Sequence, residues 1–247
     1  MKNIVVVVPS YNNIKWCEKN VSSIVTQNYK NLKVVYTDDC SSDGTADKVE
    51  NFLKSNNIDV DFELIKNKRR LGAMCNLYNM IHACNDDDVI ITLDGDDWFA
   101  HENVCEKINS IHSNPDVWFT WGSYLNYPNN QRGCSAPIPR NVIDLNIYRH
   151  HPWCTSHLRT FYAKLFKKIK KEDFYDPSGK FLDVAWDLSF YIPFVEMGGH
   201  HGRYIHDVLY MYNNENPISD FRIALQRQGA MDRYIRSKPR YQRLESL

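Results

Sequence analysis

The chain begins with the stretch IVVVVPSYNN at residues 4–13, in which five β-branched residues run directly into a polar turn. Successive side chains of a strand point to opposite faces, so an unbroken apolar run predicts a strand that is covered on both sides. Similar apolar runs recur along the first half of the chain, at 34–36, 62–65 and 89–93. Helical spacing appears between these runs, for example at Met74, Leu77 and Ile81. This alternation predicts an α/β fold with a mostly parallel central sheet flanked by helices.

The composition restricts the class of protein. The 247 residues are 43% hydrophobic and 24% charged, which is typical of a globular protein. Thirty basic and thirty acidic side chains cancel, so we expect no nucleic-acid partner held by bulk positive charge. No apolar run approaches the roughly 20 residues of a membrane helix, and no secretory signal is recognisable, so we predict a cytoplasmic protein with no integral membrane segment. The seven scattered cysteines predict free thiols.

Acidic turns follow two of the predicted strands. Residues 38–45 read DDCSSDGT, and residues 93–98 read LDGDDW. In a parallel sheet, ligands bind at the carboxyl ends of the strands. Three carboxylates within four residues repel one another unless a cation lies between them, and Mg²⁺ or Mn²⁺ would also bind a substrate diphosphate. Because Asp and Gly favour turns in any case, a solvated turn without a metal explains the same residues.

Three motifs together resemble glycosyltransferase family 2. They are VVPSYN at 7–12, DDCSSDGT at 38–45 and LDGDDW at 93–98, each at a predicted strand end. The resemblance covers about residues 1–215 and implies a GT-A (Rossmann-like) fold in a single domain. We therefore expect a glycosyltransferase domain at 1–217, with a nucleotide-sugar-binding half at 1–100 and an acceptor half at 101–217. A C-terminal helix and tail would occupy 218–247.

The resemblance also implies roles for individual residues near the strand ends. Pro9 and Tyr11 would frame the nucleotide base, and Asp39 would read it. A basic residue before the third helix would bind the nucleotide, and we favour Arg70, although a solvated charge run explains it as well. The implied nucleotide-sugar-binding residues are Pro9, Tyr11, Asp39, Arg70, Asp94 and Asp96. The implied ligands of Mn²⁺ or Mg²⁺ are Asp96 and Asp97, and Asp94 either ligates the ion as well or only orients its neighbours.

Asp187 resembles the catalytic acid of the family, because it is predicted to begin a helix that ends at Gly198. Members commonly have Glu-Asp at this position, whereas Trp186 precedes the acid here, and Asp183 is either a substitute or a surface acid. An Asp is also a good helix N-cap, and one residue can serve as both cap and base. On the acceptor side we expect Trp153 and His157.

The implied function is metal-dependent, inverting transfer of a sugar from a nucleoside diphosphate sugar, most simply a UDP-sugar, to a hydroxyl of a glycan or protein. A non-catalytic nucleotide-sugar or glycan-binding protein of the same fold is an alternative. A sugar nucleotidyltransferase is less favoured, because it would show a Gly-rich basic loop after the first strand.

Two further segments give structural expectations. The spacing of Phe161, Leu165 and Ile169 predicts an amphipathic helix within 157–171, with its lysines in solvent. From Ser219 onward we expect a helix, through which a homo-oligomer would form, followed by an exposed tail.

Overall fold

The computed structural model describes residues 1–56, 58–218 and 224–247. Within these residues, nine strands form one sheet: β1 (Ile4–Ser10), β2 (Leu32–Asp38), β3 (Asp61–Lys66), β4 (Val89–Thr92), β5 (Trp98–Phe99), β6 (Phe119–Tyr127), β7 (Gln131–Arg132), β8 (Arg159–Tyr162) and β9 (Gly202–Asn213). Their order is β3-β2-β1-β4-β8-β6-β9-β5, with β7 paired to β6. The first four strands are parallel, whereas β8 runs antiparallel to both of its neighbours, β4 and β6.

Strand β1 shows why its sequence is apolar throughout. Ile4, Val6 and Val8 belong to one buried cluster, whereas Val5 and Val7 belong to a second cluster. Because alternate side chains point to opposite faces, the two clusters cover the two sides of the sheet.

Eight α-helices flank the sheet within the described ranges: α1 (Cys17–Val25), α2 (Thr45–Ser55), α3 (Ala73–His82), α4 (Val104–His112), α5 (Arg140–Asp144), α6 (Ala163–Lys167), α7 (Leu188–Gly198) and α8 (Leu225–Ser237). The predicted stripe of α3 is buried, since Met74, Leu77 and Ile81 are each 0% exposed. The predicted α/β architecture is therefore present, and the second half of the sheet is mixed. No helix in the described part of the chain is long and apolar enough to cross a lipid bilayer.

The predicted amphipathic helix within 157–171 is wrong over its first half. Residues Arg159–Tyr162 form β8, and all four are buried between β4 and β6. Only the short helix α6 follows, where Lys164 and Lys167 pair with acids of the loop before β4. The spacing of four between apolar residues suggests a helix, but pairing with distant strands decides the structure here.

The C-terminal tail after α8 is largely exposed, as predicted, but two of its residues fasten it to the domain. Residues 219–223, the first of the predicted C-terminal helix and tail, lie outside the described part of the chain. After α8, the Leu244 N–H donates to the Met197 carbonyl at 2.9 Å, and the Tyr241 N–H donates to Glu196 at 3.1 Å. Both Tyr241 and Leu244 pack against the apolar core. These backbone contacts fasten the tail to α7.

Candidate functional site

A side chain of α1 holds the backbone of the acidic turn after β4. The Asn20 side-chain amide donates to the carbonyl oxygens of Asp94 and Asp97, at 2.9 and 2.7 Å. At Gly95, a Cβ atom would lie 2.5 Å from the Ser10 Oγ, so any larger residue would collide with the end of β1. This close approach explains why glycine separates two of the acids, and it fixes their backbone.

Asp97 is held by β9, the strand that returns from the second half of the chain. Its Oδ2 accepts from the Tyr210 hydroxyl at 2.5 Å, and its Oδ1 accepts from the Asn213 N–H at 2.7 Å. The side chain is 1% exposed. Burial, followed by the nearby charges of Asp96 and Asp94, raises the pKa of Asp97 well above its ordinary value. A cation bound here would relieve this crowding of negative charge.

Asp94, Asp97 and His157 form a group suited to a metal ion. One ligand atom from each lies within 4.8 Å of the others. His157 is buried just before β8, and its ring stacks on Tyr210 with a centroid distance of 4.3 Å. Burial, and then the charge of Arg159, holds the pKa of His157 well below its ordinary value, so the imidazole is neutral. A neutral imidazole and two carboxylates fit a divalent cation.

This group differs from the pair of ligands implied by the sequence. Asp97 belongs to it, and Asp94, expected at the nucleotide sugar, belongs as well. Asp96 lies outside the group, and its Oδ2 accepts from the Asn216 side-chain amide at 2.6 Å. The third member of the group is His157, which the sequence analysis expects on the acceptor side.

Asp187 is the N-cap of α7, as one of its two predicted roles requires. Its Oδ1 accepts from the Leu188 N–H at 3.1 Å, so the helix position is confirmed. Its Oδ2 lies 3.3 Å from the Arg159 Nη2. The carboxylate is 20% exposed, and it therefore remains accessible for chemistry.

A cavity of about 670 Å³ connects these groups. Asp94 and His157 of the metal-suited group line it together with Asp187. Trp153 and Trp186 also face this space, and helix α8 contributes part of the wall. The cavity therefore brings the predicted base, the predicted acceptor residue Trp153 and the metal-suited group to one place.

The residues expected at the nucleotide base gather at the neighbouring strand ends. The Arg70 guanidinium lies 3.9 Å from the centre of the Tyr11 ring, so these two predicted residues are in contact. The Gly95 N–H donates to the Pro9 carbonyl at 3.2 Å, which joins the first turn to the acidic turn. Asp39 adjoins them, since its N–H donates to the Ser10 carbonyl at 2.8 Å.

Asp39 also organises the loop that contains Arg70. Its carboxylate accepts from the N–H groups of Leu71 and Gly72 and from the Asn67 amide, each at 2.8 Å. Burial alone would raise the pKa of Asp39, but these hydrogen bonds outweigh burial and lower it.

Sequence reasoning missed two kinds of site residue. Tyr210 and Asn213 hold Asp97 from β9, and Arg159 contacts Asp187 from β8. None of these residues lies next to an acidic motif in the chain. Arg159 lies beside Thr92 because β8 pairs with β4, and Tyr210 lies beside Phe99 because β9 pairs with β5. The spacing of motifs along the chain gives no signal for either pairing.

A model of the family described as glycosyl transferase family 2 matches residues 5–170. The chain belongs to this family. All three sequence motifs lie inside the matched range, whereas Asp187 lies beyond it. The family resemblance inferred from the motifs is thus confirmed.

Several known proteins are similar to this family member. An uncharacterized glycosyltransferase of Haemophilus influenzae is 32% identical over 120 residues, which are 49% of this chain and 36% of that protein. The mannosyltransferase PcManGT from Pyrobaculum calidifontis, solved with GDP-Man and Mn²⁺, is 20% identical with a TM-score of 0.66, and the match covers 97% of this chain and 66% of that one.

A third relative is glucosyl-3-phosphoglycerate synthase from Mycobacterium tuberculosis, solved with Mn²⁺, UDP and phosphoglyceric acid. It is 12% identical with a TM-score of 0.63, and the match covers 96% of this chain and 80% of that one. At such identities the structural likeness establishes the GT-A fold. The chain spans 36% of the length of the Haemophilus protein.

Proposed function

We propose that this chain transfers a sugar from a nucleoside diphosphate sugar to an acceptor hydroxyl, with inversion at the anomeric carbon and with a requirement for a divalent cation. The observation that carries the proposal is the shared cavity, where Asp94 and His157 of the metal-suited group face the same space as Asp187. A transferase needs a positive site for the diphosphate and a base for the acceptor in one cavity.

The donor would lie across the ends of β1, β2 and β4. Tyr11 and Arg70 would contact the nucleoside, and Asp39 would accept a hydrogen bond from its base. Asp96 would contact the ribose. We propose a UDP-sugar, and the relatives solved with GDP-Man and with UDP support a nucleoside diphosphate of either kind.

The cation would be held by Asp94, Asp97 and His157. Mg²⁺ prefers oxygen ligands, whereas Mn²⁺ also accepts imidazole nitrogen, so a group that includes His157 favours Mn²⁺. When bound, the ion supplies positive charge to the diphosphate. PcManGT and glucosyl-3-phosphoglycerate synthase were both solved with Mn²⁺.

Asp187 would act on the acceptor. A hydroxyl is a weak nucleophile at neutral pH, so the carboxylate would take its proton as the oxygen attacks the anomeric carbon. The N-cap bond to Leu188 fixes the position of one carboxylate oxygen. We propose that Asp187 is both cap and base, and that the acceptor reaches it past Trp153 and Trp186.

The acceptor would be a glycan, with a protein side chain as the alternative. The cavity is lined by two tryptophan side chains, and flat apolar rings suit the C–H face of a pyranose. The cytoplasmic location and the homo-oligomer remain predictions from the sequence.

The test is a donor screen. The protein is incubated with Mn²⁺ and single nucleoside diphosphate sugars, and the released nucleoside diphosphate is measured with and without candidate glycan acceptors. We expect slow hydrolysis of one donor and faster release with an acceptor. Tight donor binding without any release would favour the non-catalytic binding protein instead.

A further inference from the structure

Arg159 is a buried cation whose hydrogen-bonding capacity is mostly unused. The residue is 2% exposed at the first position of β8. Its Nη2 lies 3.3 Å from Asp187 Oδ2 and 3.1 Å from a ring nitrogen of His157. The Nε and Nη1 atoms have no hydrogen-bond partner among the residues that the structure describes. Buried donors are normally satisfied, so two open donors on one guanidinium indicate a missing acceptor.

The position of Arg159 restricts what that acceptor is. Its side chain lines the cavity, and it touches both His157 of the metal-suited group and Asp187. In the proposed function, these two residues lie on opposite sides of the bond that breaks. A guanidinium is permanently charged, and its planar fork of N–H groups matches phosphate oxygens.

We propose that Arg159 binds the β-phosphate of the donor and stabilises the charge that develops on it as the sugar leaves. The proposal rests on the proposed function, because it takes the donor to be a nucleoside diphosphate sugar. It adds a catalytic residue from outside the acidic motifs.

The contact with Asp187 couples Arg159 to the reaction. The acceptor oxygen forms a bond to the anomeric carbon, and the bond from that carbon to the β-phosphate oxygen breaks, with its electron pair remaining on the phosphate. The acceptor proton passes to Asp187, which loses its negative charge. Arg159 therefore loses its negative partner Asp187 at the moment when the β-phosphate gains negative charge. The attraction between Arg159 and the phosphate then becomes stronger. An interaction that strengthens in the transition state accelerates the reaction.

The test compares binding of UDP with binding of UMP, which lacks the β-phosphate. Calorimetry with Mn²⁺ is performed on the wild type, Arg159→Gln and Arg159→Lys. Arg159→Gln is expected to lower the affinity for UDP by about tenfold or more and to leave the affinity for UMP unchanged. Arg159→Lys retains the charge without the fork, so an intermediate loss for UDP is expected. Arg140→Gln, which changes an 86% exposed arginine, is the matched control.

Donor hydrolysis and thermal unfolding complete the test. Hydrolysis is expected to fall in Arg159→Gln, with a smaller loss in Arg159→Lys. If Arg159→Gln lost equal affinity for UDP and UMP and also had a lower melting temperature, Arg159 would have a merely structural role. That result would overturn the proposal. Unchanged UDP affinity and hydrolysis, with loss of transfer only to anionic acceptors, would also overturn it. If the wild type neither binds UDP nor hydrolyses any donor, the proposed function itself fails.

Discussion

At the scale of single residues, Asp187 caps α7, and we propose that it is also the base; a conservative change separates these two roles. Asp187→Asn retains the oxygen that accepts from Leu188 but removes the basic carboxylate. We expect transfer to fall by about 10² to 10⁴-fold, while UDP still binds at least as tightly as to the wild type, because Arg159 loses the negative charge that neutralises it. Steady-state transfer assays and calorimetry measure the two effects.

Asp183→Asn is the matched control for this change. Asp183 is 45% exposed and pairs with Arg227 at 2.6 Å, at the outer surface of the loop before α7. The Asp183→Asn variant is expected to transfer sugar at the wild-type rate. If Asp183→Asn abolished transfer and Asp187→Asn did not, the base would be Asp183 instead.

A second prediction at the residue scale concerns the proton on Asp97. A pKa raised in the folded protein means that the folded state binds this proton more tightly than the unfolded chain. The resulting stability is present below the ordinary pKa of the carboxyl and is lost as pH rises through the raised value. Mn²⁺ would take the place of this proton, so the binding of Mn²⁺ competes with protonation of Asp97.

We therefore expect Mn²⁺ to raise the melting temperature more at about pH 7.5 than at about pH 5. At an ion concentration of about 100 times Kd, the stabilisation is about 2 to 3 kcal/mol. Differential scanning fluorimetry with and without Mn²⁺ at both pH values measures it. Asp97→Asn is the control and should lose the stabilisation at both. Equal Mn²⁺ shifts in the wild type at the two pH values would contradict the assignment.

At the scale of elements, a buried ion pair between Arg149 and Glu196 of α7 also links α7 to α8 and the tail. Arg149 and Glu196 are 5% and 0% exposed, with Nε and Oε1 2.6 Å apart. Arg149 also donates to the Ile235 carbonyl at 2.6 Å and to the Pro239 carbonyl at 3.2 Å. The pair therefore fastens α8 and the tail to the helix that Asp187 caps.

Removing one partner leaves the other charge buried, so Glu196→Gln is expected to lower the free energy of unfolding by about 3 to 5 kcal/mol. Urea denaturation measures the loss. Arg140→Gln removes one member of an exposed pair and should cost less than about 1 kcal/mol. A similar small loss for Glu196→Gln would mean that the ion pair contributes little and that the other contacts hold the tail.

At the scale of the whole molecule, the first half of the fold follows from local sequence and the second half does not. The run at 4–8 and the stripe of α3 specify their elements because apolar spacing alone fixes which faces are buried. Residues 159–162 form a strand only because β4 and β6 lie on either side of them. No pattern within those four residues indicates such distant partners.

The residues of the candidate site likewise fall into two groups: those that local sequence indicates and those that only the strand order places. Asp94 and Asp97 are recognisable because they follow a clear strand, and Asp187 because its segment resembles the family's stretch in which an acid begins a helix. His157 enters the metal-suited group through the position of β8, and Tyr210 holds Asp97 through the position of β9. These contacts depend on the order of strands in the sheet, which the spacing of motifs along the chain does not specify.

The most direct measurement of the central claim is calorimetric titration of UDP into the full chain with Mn²⁺, after chelation, and after Mn²⁺ is restored. Binding through an ion held by Asp94, Asp97 and His157 predicts a loss of UDP affinity on chelation of about tenfold or more, and full recovery afterwards. Asp97→Asn should resemble the chelated protein throughout. UDP affinity that is equal with and without Mn²⁺, or absent in both conditions, would contradict the account.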